Sequence, residues 1–144
     1  MTDRKFRVVM VDDDFEDIFT FRKSFTEATS RIDFVAYGNG DDLFEILEDS
    51  DSPTVDLILL DLNMPNMNGY EVLEKLQANI KWKSIPVYIL TTSDLEIDRK
   101  RSINAGARKF VTKPTSLGTL FELTKFIENQ LILQCIGNSA NADG

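Results

Sequence analysis

Carboxylates, hydroxyls and one ammonium stand directly behind the apolar runs of this chain, where residues able to do chemistry are expected. Asp12, Asp13 and Asp14 follow "RVVMV", Asp61 follows "DLILL", Thr91 and Thr92 follow "PVYIL", and Lys113 follows "RKFVT". Carboxylates this close repel one another and raise each other's pKa, a tension that a bound cation relieves. Mg2+ takes octahedral oxygen ligands, one or two carboxylates with waters and a substrate phosphate, and this set can supply them. Lys113 then offers a point charge to a phosphoryl oxygen, and Thr91 a hydroxyl donor. Held beside a metal and a lysine, Asp61 is a nucleophile able to carry a phosphoryl group as an acyl phosphate. Any single aspartate here is an ordinary turn former or helix cap; the set at several strand ends carries the reading.

Five short β-branched runs supply the elements that must position these residues: 7–11, 32–36, 56–60, 86–90 and 108–112. Helical spacing separates them, with Ile18, Phe21, Phe25 and Ala28, then residues 41–47, then Val72, Leu73 and Leu76. Ser93 with Glu96 reads as a capping box for a fourth helix through Asn104, ended by Gly106, and Ser116 as the cap of a fifth from Leu117 to about Leu131. The pattern is (βα)5, an α/β fold with a parallel sheet covered on both faces. In such sheets ligands bind beyond the carboxyl ends of the strands, where the candidate residues lie.

Composition narrows the function. A formal charge of −8 disfavours nucleic acid and anionic membranes as partners. The lone Cys135 excludes an internal disulfide and fits a reducing cytoplasm, and the absence of histidine removes imidazole catalysis and the usual zinc ligands. No run approaches the roughly 20 apolar residues of a membrane span, and the N-terminus lacks a signal-peptide pattern. Residues 1–136 read as one domain, and "GNSANADG" (137–144) as a disordered tail.

Together "VMVDDD", "LLDLNMPNMNG" with Pro65 and Gly69 beyond Asp61, "LTTS" and "FVTKP" resemble the bacterial response-regulator receiver domain from about Lys5 to Gln130. The stretches "FEDIFTFRK" and "KWKSIPVYILTTS" further resemble stand-alone regulators that partner phytochrome-type histidine kinases. The resemblance implies a doubly wound, flavodoxin-like sheet of strand order 2-1-3-4-5. It also implies Mg2+, with Mn2+ as a substitute, held by Asp12, Asp13, Asp61 and the backbone carbonyl of Asn63. Asp61 is then the phosphoacceptor, Lys113 the phosphoryl anchor, Thr91 the switch hydroxyl and Phe110 the switch aromatic, which turns inward as Thr91 moves. The Lys113–Pro114 bond is expected to be cis. Asp14 is the extra acid, exposed or capping a helix.

The implied function is acceptance of a phosphoryl group from a sensor histidine kinase or phosphotransfer protein, with self-catalysed loss of it, and signalling through altered protein contacts. A degenerate receiver acting only as a binding module is the alternative. A haloacid-dehalogenase-type phosphatase needs a second acid two residues after the nucleophile, where this chain has Asn63. A flavodoxin-type phosphate loop is incompatible with "DDDFED", and a calcium loop starting at Asp12 has Asp17 where it needs Gly. In the fifth helix Phe121, Phe126 and "LILQCI" (131–136) widen the apolar arc beyond the stripe of Leu120, Leu123, Ile127 and Leu131. That excess points to a homodimer through the fourth helix, fifth strand and fifth helix, unless the surplus folds back over the sheet.

Overall fold

The structure is a computed structural model that describes residues 5–143. Residues 1–4 and Gly144, which fall inside the expected domain and tail, lie outside the described residues.

The elements alternate as expected: β1 (Phe6–Val11), α1 (Phe15–Ala28), β2 (Ile32–Tyr37), α2 (Gly40–Glu48), β3 (Leu57–Asp61), α3 (Gly69–Ala78), β4 (Val87–Thr91), α4 (Glu96–Asn104), β5 (Lys109–Thr112) and α5 (Leu117–Asp143). All pairings are parallel, in the order β2-β1-β3-β4-β5. The order reverses between β1 and β3, so their carboxyl ends open side by side at the switch point where open α/β sheets bind ligands.

Period-2 alternation divides the core. Val9, Val11, Ile58, Leu60, Val87 and Ile89 face α2 and α3, packing on Leu43, Phe44, Val72, Leu73 and Leu76. Val8, Met10, Leu57, Leu59, Tyr88 and Leu90 face α1 and α5, packing on Ile18, Phe21, Phe25, Leu120, Ile127 and Leu131. Burial on both faces explains the nearly continuous apolar character of the strands. It also makes the ladder a rigid base on which the strand-end residues are fixed.

Several local expectations are corrected. Asp61 and Thr91 are the last residues of their strands, not the first beyond them. Ser93 does not cap α4: the helix begins at Glu96 after Leu95 with no side-chain cap, because the Ser93 hydroxyl donates to Asp98 and accepts from the Leu95 N–H. Gly106, with φ of +113°, does close α4, in a conformation that suits only glycine. Ser116 caps α5 by accepting from the Thr119 N–H at 3.1 Å. That helix extends to Asp143.

Of the surplus apolar residues, Leu131 and Ile132 pack against the core, and the others do not fold back over the sheet. Phe121, Phe126, Leu133 and Ile136 are exposed. The seam between α1 and α5 is partly polar instead. Ser24 and Thr124 share a hydrogen bond of 2.8 Å, and Glu128 receives Thr29 and Lys125.

Candidate functional site

The loop after β1 turns on Asp12, whose Oδ1 accepts from the Asp14 N–H at 2.9 Å. Asp14 in turn caps α1, accepting from Glu16 N and Asp17 N, so the third aspartate is the helix cap. Asp12 is thereby fixed inward, fully buried, while Asp13 stays exposed. Across the switch point, Asp61 at the end of β3 is 6% exposed.

The loop beyond Asp61 is held tightly. Asn63 N donates to Asp61 Oδ1 at 3.3 Å, and Met67 N donates to Pro65 O at 2.9 Å around Asn66, whose φ is +69°. That is a three-residue turn with its centre in the left-handed region, which Asn tolerates better than most residues. Gly69 then passes so close that an added Cβ would stand 2.4 Å from the Asp61 carbonyl oxygen, and only glycine fits.

One oxygen from each of Asp12, Asp13 and Asp61 lies within 4.8 Å of the others. On their flank Lys113 Nζ stands 2.8 Å from Asp12 Oδ2, 2.7 Å from Asp17 Oδ2 and 3.8 Å from Asp61 Oδ2. Asp13, Asp17, Asp61 and Lys113 line an open cleft of about 610 Å3 with Phe15, Asn63 and Thr92. A larger hollow of about 780 Å3, at the amino ends of the strands around Trp82 and Arg108, holds none of these residues.

Electrostatics follow from burial and crowding. Burial, with the charge of Asp12, pushes the Asp61 carboxyl up to about 6, against the opposing pull of Lys113. Asp12 is also raised, chiefly by burial, despite its contacts with Lys113 and the Asp14 N–H. For Lys113 burial works the other way, but its contacts with Asp12 and Asp17 and the charge of Asp61 outweigh it and lift the ammonium above its ordinary value.

These residues fit a hard divalent cation. The ligand atoms are oxygens, three carboxylates converge, and Asp12 Oδ2 is buried without a hydrogen bond. Lys113 meets that oxygen as an ion pair, so one polar atom aimed into the cluster lacks a directional partner.

Thr91 is buried at the end of β4, its Oγ1 accepting from Ser93 N at 3.3 Å and Asn63 Nδ2 at 3.4 Å. Its carbonyl accepts from Lys113 N at 2.7 Å, so β4 and β5 deliver hydroxyl and ammonium in one register. Asp98 ties the β4–α4 loop to α3 by accepting from Ser93 Oγ at 2.6 Å and Tyr70 Oη at 3.0 Å. One expectation is overturned. The Lys113–Pro114 bond is trans, as no cis peptide occurs among the described residues; trans is the lower-energy isomer even before proline, and in it the lysine makes all its contacts. Phe110 is already inward, 5% exposed within the α2–α3 side of the core, with the Arg99 guanidinium over its ring.

Asp17 was not among the expected site residues. It lies three residues after the cap Asp14, in the first turn of α1, and nothing in the local sequence marks it, because its partner Lys113 is distant in the chain.

An open parallel sheet of order 2-1-3-4-5 with acids at the switch point defines the flavodoxin-like class that includes two-component receivers. Residues 8–125 match the response regulator receiver domain, and the chain belongs to that family. It is 42% identical over 82 residues to the response regulator Rcp1 of Synechocystis sp., covering 57% of this chain and 56% of that protein. It is 37% identical over 67 residues to protein PilH of Pseudomonas aeruginosa, covering 46% and 55%. The match thus spans little more than half the length of these curated relatives. Among solved structures, the phosphorylated cyanobacterial phytochrome response regulator RcpA superposes with a TM-score of 0.80 at 30% identity, over 89% of this chain and 94% of that one. The Mn2+-bound form of Rcp1 superposes with a TM-score of 0.74 at 32% identity, over 85% and 91%. Among the described residues no helix is long and apolar enough to cross a membrane.

Proposed function

We propose that this protein accepts a phosphoryl group on Asp61 from the phosphohistidine of a sensor kinase or phosphotransfer protein, and signals through changed protein contacts. The observation that carries the reading is the meeting of three carboxylates with Lys113 on their flank. Asp12, Asp13 and Asp61, with the backbone carbonyl of Asn63, would hold Mg2+ or Mn2+. The ion would supply positive charge to the phosphoryl oxygens. An oxygen of Asp61 attacks phosphorus as the P–N bond breaks, and the electron pair stays on the imidazole nitrogen, which takes a proton. Lys113 moves from Asp12 to the phosphoryl group, and the Thr91 hydroxyl, released by Ser93 and Asn63, donates to it. The same groups orient water for loss of the phosphoryl group. The readout passes through the β4–α4 loop, which the Ser93–Asp98–Tyr70 tie joins to α3, with Phe110 as the switch aromatic.

The partner face we propose joins α4, β5 and α5, as a homodimer. Exposed Ile97 and Ile103 on α4 and Phe121, Phe126, Leu133 and Ile136 on α5 support it. A cytoplasmic location fits the donor and the single free Cys135.

Incubation with acetyl phosphate and Mg2+, followed by mass measurement, tests the reaction. A single phosphoryl adduct is expected. Continuous phosphate release without an adduct would indicate a phosphatase, and an unchanged mass a binding module.

A further inference from the structure

The lysine that flanks the acidic cluster is shared. Lys113 Nζ donates a hydrogen bond of 2.7 Å to Asp17 Oδ2 and pairs with Asp12 Oδ2 at 2.8 Å. The ammonium is thus divided between the cluster and a residue outside it, on the first turns of α1. Asp17 is 35% exposed at its side chain and lines the cleft, while Asp12 is fully buried.

From this geometry we infer that Asp17 is a positioning residue: it anchors the Lys113 ammonium and so keeps the carboxylate oxygens of Asp12 and Asp61 available to a divalent cation. The inference rests on the metal site proposed above. An ammonium and a divalent ion compete for the same oxygens. Without Asp17, Lys113 would settle fully on Asp12 and Asp61, and the cation would have to displace it against an uncompensated positive charge. With Asp17 in place, the lysine keeps one partner when the cation arrives, and its charge stays half neutralised. Asp17 touches no reacting atom and acts chiefly through Lys113; the Glu16 comparison measures what its charge alone does.

The test is calorimetric titration of the full chain with Mn2+ alone, on wild type, Asp17→Asn, Asp17→Glu and Glu16→Gln. Glu16 lines the same cleft and carries the same charge without contacting Lys113, so it measures the effect of charge alone. Asp17→Asn should weaken Mn2+ binding by about five- to tenfold, Glu16→Gln by no more than about twofold, and Asp17→Glu should restore most of the wild-type affinity. In a Lys113→Met background the Asp17→Asn effect should shrink to that of Glu16→Gln, because the competitor is gone. Equal shifts for Asp17→Asn and Glu16→Gln, or an Asp17→Asn effect that persists without Lys113, would overturn the inference. If wild type itself fails to bind Mn2+, the site reading fails instead, and the two failures are distinguishable.

Discussion

Lys113 Nζ stands 3.8 Å from Asp61 Oδ2, within ion-pair reach but too far to hydrogen-bond. The distance leaves the Asp61 carboxylate open on its lysine side, while Asp12 and Asp17 hold the ammonium ready. The acceptor role proposed for Asp61 calls for this separation, since an oxygen bonded tightly to an ammonium is a poorer attacker.

Asp61→Asn should therefore lose all labelling by acetyl phosphate or a phosphohistidine donor while keeping its fold. Peptide mapping checks it. A variant labelled as fully as wild type would move the acceptor elsewhere.

Lys113→Met should leave Asp12, Asp17 and Asp61 without their shared cation. Because Lys113 is 11% exposed, the metal-free protein should lose about 2–4 kcal/mol of stability, read by urea unfolding in chelator. Added Mg2+ should recover part of the loss.

The pH dependence has a definite sign. Asp61 binds its proton more tightly folded, at about 6, than unfolded, at 3.8. Protonation thus favours the fold, and metal-free stability should fall by about 2–3 kcal/mol as pH rises from about 4 to about 6. The raised carboxyl of Asp12 acts in the same direction. Unfolding in chelator across this range should show the slope, and Asp61→Asn should remove most of it. Over the same window, Mg2+ affinity should rise as Asp61 loses its proton.

The dimer proposal is best tested by surface charges. Cutting the chain after Gln130 would remove Leu131, which is buried in the core, whereas Leu133 and Ile136 are exposed. Leu133→Glu with Ile136→Glu should leave the melting temperature unchanged and yield a monomer by light scattering, with or without beryllium fluoride. A wild-type monomer under both conditions would rule the dimer out.

How legible all this was depended on the range of the interaction. Strands and helices followed from apolar periods that the burial reproduces, and the convergence of Asp12, Asp61 and Lys113 followed from the rule that strand carboxyl ends share an edge. Asp17 escaped because its partner is distant in sequence, and no local pattern marks an acid on a helix surface as a lysine anchor. Ser93 and Glu96 matched a capping box, but Asp98 competed for the hydroxyl and won. The isomer at Pro114 carries no local signature, so the resemblance alone had suggested cis.

Gly69 contributes no functional group, yet its missing Cβ leaves room for the Asp61 carbonyl and the Leu62 backbone. In a saturation mutagenesis screen this position should score as intolerant as Asp61, the proposed acceptor. Gly69→Ala pushes directly on the peptide unit that aims Asp61, so loss of signalling and loss of folding would coincide there. A tolerance map would thus draw the outline of the site one residue type too wide, enclosing a glycine that takes part only by leaving space.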